Sequence, residues 1–307
     1  MDFVKNFVKQ KKARTMTNKN TCILSFQGEI GAYSNLACKN YFEENLKDQY
    51  KSFLVLPCPS FQEAIEKVII GKADIALIPI ENSSAGRVTD VHRLMLECPL
   101  KIIGEHFLRI EHCLLGTHNS KLIDIKEALS HEQALAQCAK YLKAHCITPI
   151  TFVDTAKAAK YISELKDKTK AAIASSLASE IYGLKIIEKN IEDDAKNTTR
   201  FVAMAKEMII PQTSEASITT ITFQLNNKVG ALYKALNIFA ENMINLTKIE
   251  SYLDFTKSNA SFYVDLEGHI NNQNLQKAFE DLAKICDTLT VFGVYKASPF
   301  RKRILPV

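Results

Sequence analysis

From Cys22 to Tyr182 the chain alternates short apolar runs with segments of helical period, and this order limits the architectures open to it. Residues 22–26 (CILSF), 53–56 and 74–80 read as buried strands, with a helix over Phe61–Ile70 between the last two. Apolar strands separated by helices pack as a mostly parallel sheet. The alternation then repeats. Extended runs occupy 101–116, followed by a helix over Glu132–Ala144, a strand at 148–153, a helix over Ala156–Leu165, a strand at 171–174 and a helix at 175–182. Two consecutive α/β sets predict a two-lobed body with its site in the crevice between lobes.

The pattern changes at Pro211-Gln212-Thr213-Ser214-Glu215, which reads as a linker. Beyond it the predicted order is strand 217–225, helix 229–243, strands 245–253 and 258–266, helix 272–286 and strand 288–295. That is βαββαβ, the ferredoxin-like arrangement. Leu232, Ala235, Leu236, Phe239 and Met243 recur at helical spacing and are expected to face the sheet.

Charge excludes one class of partner. The net charge of +5 is concentrated in the first twenty residues, where Lys5, Lys9, Lys11, Lys12, Arg14 and Lys19 face Asp2 alone. The remaining body is near neutral and carries no nucleic-acid footprint. Residues 1–20 read as a basic extension of the leader type; they lack the apolar stretch of a secretory signal. No apolar run approaches the roughly 20 residues that span a bilayer. The eight cysteines are scattered, with no close pairs of metal-ligand spacing, and most sit in apolar patterns. The expectation is a reducing, cytoplasmic setting, with no metal and no cofactor.

Candidate site residues lie in polar loops beside these apolar elements. Asn197-Thr198-Thr199-Arg200-Phe201 sets hydroxyls and a guanidinium at the start of an apolar strand. Read by itself it is a strand-edge Thr and a solvated Arg. Asn82 and Ser83 follow the strand at 74–80, at the end where open α/β sheets bind ligands. Gly86 permits a close backbone approach there. Ser130 stands where an N-cap belongs, ahead of the helix from Glu132. His131 beside it reads as structural.

Together these segments are specific. Gln27-Gly28-Glu29-Ile30-Gly31-Ala32-Tyr33-Ser34, Pro79-Ile80-Glu81-Asn82-Ser83, Ser130-His131-Glu132-Gln133-Ala134-Leu135-Ala136-Gln137-Cys138 and Thr199-Arg200-Phe201 occur in this order, followed by Gly230-Ala231-Leu232 and Glu250-Ser251. In this the chain resembles the monofunctional prephenate dehydratases with a C-terminal ACT regulatory domain, over about residues 22–296. The resemblance implies a bilobed catalytic domain like a type II periplasmic binding protein (21–210), a ferredoxin-like ACT domain (216–296) and a tail (297–307). It implies the conversion of prephenate to phenylpyruvate, feedback control by phenylalanine, and a homodimer or homotetramer.

The resemblance also carries roles to single residues. Thr199 is placed at the departing hydroxyl. Because a threonine hydroxyl is a poor acid, the expected role is a hydrogen bond that strengthens as the C4–O bond breaks. Arg200 is expected either on the side-chain carboxylate of the substrate or as a structural partner of Glu81, and Glu81 to position rather than to touch a dianion. Ser34, Asn82, Ser83, Ser130, Gln137 and Asn197 are expected to bind substrate, and Tyr33 to pack as a wall. Gly230, Ala231, Leu232, Glu250 and Ser251 are expected around phenylalanine, with Asn226 and Asn245 nearby. The family's Glu-Ser-Arg-Pro run here reads Glu250-Ser251-Tyr252-Leu253, which leaves open altered contacts or a purely structural module. Two other functions compete: an arogenate dehydratase, and a non-catalytic bilobed amino-acid sensor.

Overall fold

The computed structural model describes residues 20–95, 98–253 and 259–304. The chain divides into two compact units, one of residues 21–92 and 106–201, the other of 93–105 with the residues from 202 onward. All but Asn20 of the basic extension lies outside the described residues.

The first unit holds two α/β lobes. In one, β1 (Thr21–Gln27), α1 (Tyr33–Asn45), β2 (Ser52–Cys58), α2 (Phe61–Ile69), β3 (Ile75–Asn82), β4 (Gly86–Arg87) and α3 (Thr89–Met95) follow in order, and the chain leaves through β5 (Lys101–Arg109). β1 runs parallel to both β2 and β3, while the two-residue β4 turns back antiparallel on β3. Cys22, Leu24 and Phe26 on one face of β1 and Ser25 on the other are fully buried, as a strand covered on both sides requires. Ser60 starts α2 by accepting the Glu63 N–H.

The other lobe contains β6 (Cys113–Gly116), β7 (Glu127–Ser130), α4 (Glu132–Gln137), α5 (Ala139–Ala144), β8 (Thr148–Thr151), α6 (Thr155–Leu165), β9 (Lys170–Ala174), α7 (Ser176–Tyr182) and β10 (Lys185–Glu188). Its sheet order is β10-β6-β9-β7-β8. β7 runs parallel to β8 and β9, but β6 is antiparallel to β9 and β10, so this sheet is mixed rather than mostly parallel. Alternate residues of β9 serve opposite faces: Ala172 and Ala174 join the core under α6 and α7, Ala171 and Ile173 the core under α4 and α5. Asp154 and Ser175 cap α6 and α7 through the Lys157 and Ala178 N–H groups. The chain returns through β11 (Thr198–Ala205), which lies beside β3.

Two expectations change here. The helix over Glu132–Ala144 is broken at Cys138 into α4 and α5. The break is held from outside, because Asp193 gives its N–H to the Gln137 carbonyl and accepts the Lys140 N–H on its carboxylate. The N-cap of α4 is His131, not Ser130. His131 Nδ1 accepts the Gln133 N–H at 3.3 Å, whereas the Ser130 hydroxyl is fully buried and donates to the Ile173 carbonyl at 2.6 Å. β7 leaves that hydroxyl on the sheet side, so Ser130 ties β7 to β9.

In the second unit β12 (Ser217–Asn226), α8 (Ala231–Glu241), β13 (Leu246–Leu253), β14 (Asn259–Glu267), α9 (Gln273–Leu282) and β15 (Thr288–Lys296) reproduce the predicted βαββαβ order. Sheet neighbours run β13-β14-β12-β15, and β15 meets β5 at Gly293 and Ile102. Ala235 and Phe239 of α8 and Phe279 of α9 are fully buried against this sheet. Met243 is 87% exposed, because α8 has ended and Met243 adopts φ +55°; it does not belong to the buried stripe, nor does exposed Leu232. The tail is not loose as far as it is described. Arg301 of α10 (Arg301–Ile304) is buried and grips the Glu105 carboxylate with Nε at 2.7 Å and Nη2 at 2.8 Å, while Nη1 donates to Thr247. Among the described residues, no helix is long and apolar enough to cross a membrane.

Candidate active site

The two lobes of the first unit enclose a cleft of about 510 Å³, within the usual range for small-ligand sites. The Gly28–Ser34 loop reaches it from β1 and is fastened to the other lobe. The Ile30 carbonyl accepts from the Tyr182 hydroxyl at 2.6 Å and the Gly31 carbonyl from Ser175 at 2.7 Å. Gly31 has φ +90°, and a Cβ there would come within 3.2 Å of Ala178 Cα and of the Tyr182 ring, so the approach needs glycine.

Thr199 and Phe201 of β11 line the cleft and the intervening Arg200 does not, as the two-residue period of a strand dictates. Asn82, at the end of β3, faces Thr199. Its Oδ1 accepts the N–H groups of Ser84 at 3.0 Å and Ala85 at 2.8 Å, which fixes which end of the amide points where. Its Nδ2 must then donate, and does so to Asn197 Oδ1 at 2.8 Å and to Thr199 Oγ1 at 2.9 Å. Thr199 Oγ1 is thereby an acceptor toward Asn82, and its own proton is available to an oxygen in the cleft.

A second polar chain joins the lobes. The His112 ring lies with Nε2 2.9 Å from Gln137 Oε1 and Nδ1 2.7 Å from the Tyr33 hydroxyl, itself 3.1 Å from the Glu111 carbonyl. Since Gln137 Oε1 can only accept, Nε2 carries the proton, and the one Tyr33 proton is shared between Nδ1 and the Glu111 carbonyl. Burial lowers the His112 pKa, against the opposing pull of Gln137 and Glu192, and burial raises that of Tyr33 well above its ordinary value. Both are therefore neutral near pH 7. The chain holds Gln137 by its oxygen and leaves the amide Nε2 to donate.

Of the residues expected to bind substrate, Ser34, Asn82 and Gln137 line the cleft together with Thr199. Three do not. Ser130 is committed to Ile173. Ser83 fastens the returning strand, accepting the Thr198 N–H at 2.9 Å and donating to the Lys196 carbonyl. Asn197 is buried and braces Asn82. Arg200 is not among the residues that line the cleft. The side chain is 3% exposed, 3.1 Å from Glu81 Oε1, with its guanidinium carbon 5.8 Å from the Phe107 ring centre. Glu81, its partner in this ion pair, is likewise not among the lining residues.

Sequence reasoning missed His112 altogether and read Tyr33 only as a wall; a histidine between two extended runs gave no signal of its partners. His131 and Arg87 also line the cleft. In the second unit Gly230 has φ +79° and precedes α8, and Glu250 and Ser251 lie on β13, where Glu250 meets Lys248 at 3.0 Å. Asn226 and Asn245 are committed elsewhere, to Asp287 and Glu267.

This arrangement defines a class: a two-lobed α/β protein with a polar cleft of small-ligand size, lined by a threonine hydroxyl. Comparison with known proteins then narrows it. The sequence profile described as "Prephenate dehydratase" matches residues 24–209. A bifunctional N-acyl-homoserine lactone acylase/prephenate dehydratase of Komagataeibacter europaeus is 40% identical over 92% of this chain and 98% of its own. Arogenate dehydratase/prephenate dehydratase 2 of Arabidopsis thaliana is 37% identical over 92% of this chain and 74% of its own. The crystal structure of a prephenate dehydratase from Arthrobacter aurescens, in complex with L-Phe, aligns with TM-score 0.80 and 28% identity over 90% of each chain. The chain belongs to the prephenate dehydratase family. It is a carbon–oxygen lyase acting on prephenate in phenylalanine biosynthesis.

Proposed function

We propose that Thr199 carries the dehydration by donating a hydrogen bond to the C4 hydroxyl of prephenate as it departs. The observation that carries this is the fixed polarity of Asn82: both its amide protons point away toward Asn197 and Thr199, so the Thr199 proton is directed elsewhere. The C4–O bond breaks while the electron pair of the bond between the ring and its carboxylate moves into the ring. Carbon dioxide leaves, the ring becomes aromatic, and the departing oxygen takes up one proton, finally from solvent, to leave as water. The hydrogen bond need only grow stronger along this path, which suits a hydroxyl of high pKa. Gln137, held by His112, supplies a second donor from the facing lobe.

Arogenate is the second reading, favoured by the acids Glu29 and Asp154 in the cleft, which an ammonium group would seek. The two carboxylates share one cation, Lys157, at 3.3 and 3.7 Å, which offsets one of their two charges, and the prephenate reading is supported instead by the family match. Appearance of phenylpyruvate from prephenate, followed spectrophotometrically beside arogenate, tests this. Turnover of arogenate alone reverses the assignment, and turnover of neither leaves the sensor reading.

The second unit is read as an ACT-type module that binds phenylalanine near Gly230, Ala231, Leu232, Glu250 and Ser251. Its βαββαβ order and the L-Phe complex of the Arthrobacter aurescens enzyme support this. A homodimer or homotetramer in the cytoplasm completes the reading.

A further inference from the structure

His112 and Gln137 stand 25 residues apart in the chain, and the 2.9 Å bond between their side chains requires two backbones held in register. One short segment between β10 and β11 holds both. The Ile191 N–H donates to the His112 carbonyl at 3.1 Å, the His112 N–H to Glu192 Oε2 at 2.9 Å, and the Asp193 N–H to the Gln137 carbonyl at 2.7 Å. We propose that Asp193 is a positioning residue of the dehydration, holding Gln137 against His112 so that the Gln137 amide is presented to the substrate. The inference rests on the prephenate reading above, with Gln137 as the donor of the facing lobe.

Asp193 grips the chain on both sides of the break between α4 and α5. The first N–H groups of a helix have no partner within it, and α5 begins at Ala139 without a side-chain cap of its own. Asp193 supplies one from outside: its two carboxylate oxygens lie 3.2 and 3.3 Å from the Lys140 N. Its main-chain N–H meanwhile holds the Gln137 carbonyl, so the turn at Cys138 is fixed from before and after by one residue. The His112 side of the pair is fixed by the neighbour of Asp193. The Glu192 side chain is 2% exposed, and its Oε1 is taken by Arg109 Nη2 at 3.2 Å, which leaves Oε2 to the His112 N–H. A buried carboxylate paired at both oxygens has little freedom to shift.

Gln137 needs this support because its side chain is long and turns about three bonds. His112 fixes its oxygen and Asp193 its main chain, while among the described residues nothing accepts from Nε2 and Gln137 lines the cleft. Asp193 itself is exposed and is not among the lining residues, so any effect it has on the reaction passes through Gln137. The same segment then reaches the opposite side of the cleft. The Ser84 hydroxyl donates to Asp194 at 3.3 Å and the Asn197 N–H to the Asp194 carbonyl at 3.1 Å, beside the amide that orients Thr199. Consecutive residues thereby set the spacing between the donor of one lobe and the threonine of the other, and a misplacement of about 1 Å in such an arrangement costs up to about 100-fold in rate.

A double-mutant cycle of Asp193 and Gln137, read as kcat/KM for prephenate, tests the assignment. D193A is expected to lower kcat/KM about 10-fold, and D193N, whose amide oxygen still accepts the Lys140 N–H, to keep most of the wild-type value. Q137A removes the donor itself, so adding D193A to Q137A should change kcat/KM by less than about twofold. Wild-type kcat/KM in D193A overturns the role of Asp193. So does the same loss of about 10-fold recurring in the Q137A background, since Asp193 would then support the fold and not Gln137. Absence of prephenate turnover by the wild type, or an unchanged kcat/KM in Q137A, overturns instead the reading on which the inference rests.

Discussion

At the scale of single residues, function turns on which atom holds which proton. Asn82 is defined by two backbone N–H groups on its oxygen, and everything downstream follows from that polarity. N82D keeps the shape and both backbone bonds but can only accept, so the Thr199 proton should turn toward the new carboxylate. We expect kcat to fall about 100-fold with KM little changed, and a normal kcat in N82D would show that the Asn82 bond does not direct the proton. His112 makes a prediction in pH. Its folded-state pKa is lowered by burial, so the unfolded chain binds the proton more readily. The associated stability is complete above the unfolded value, about 6.5, and is lost as pH falls through the lower folded value. His106, also lowered chiefly by burial and opposed by Glu44, acts with the same sign. Thermal melts should therefore fall between neutral and mildly acid pH, and less steeply in H112N. Equal slopes in H112N and wild type would remove His112 from this account.

At the scale of elements, strand period decides which neighbours act. Thr199 and Phe201 face the cleft and Arg200 faces the protein, a distinction latent in the sequence once 198–205 is known to be a strand. It was less legible than the motif itself, because Arg200 adjoins Thr199 in the chain and adjacency says nothing about side. Ser130 shows the same limit. A serine ahead of a helical run reads as an N-cap, but β7 ends on that serine and carries its hydroxyl into the sheet. S130A should consequently cost about 1–2 kcal/mol in stability, the price of leaving the Ile173 carbonyl short of a donor, with KM for prephenate within about twofold. A large rise in KM at unchanged stability would return Ser130 to the substrate. The short elements β4, β7, α3 and β10 escaped the sequence because two to seven residues give too little period to read. The longer alternation and the βαββαβ order did not, since repeated apolar runs leave few other ways to bury them.

At the scale of the whole molecule, a cleft body and a βαββαβ module occur in one chain, which invites regulation. The module departs from the family run at Tyr252 and Leu253, so a ligand there would make contacts of its own. If phenylalanine binds, activity should fall on titration with a coupling of roughly 1–3 kcal/mol, about a 5- to 150-fold change in affinity. Full activity at saturating phenylalanine would leave the module a structural role. The packing around Arg301 shows why the residues after β15 belong to this unit. A buried, two-pronged ion pair with Glu105 holds them there, and sequence offered no partner for an arginine so near the end of the chain.

The central claim is that the Thr199 proton assists the departing hydroxyl, and steady-state kinetics of T199V and T199S on prephenate test it most directly. T199V should lower kcat by about 10²–10³-fold with KM within about threefold, while T199S, which keeps the hydroxyl, should retain most of the rate. Near-normal kcat in T199V would contradict the account.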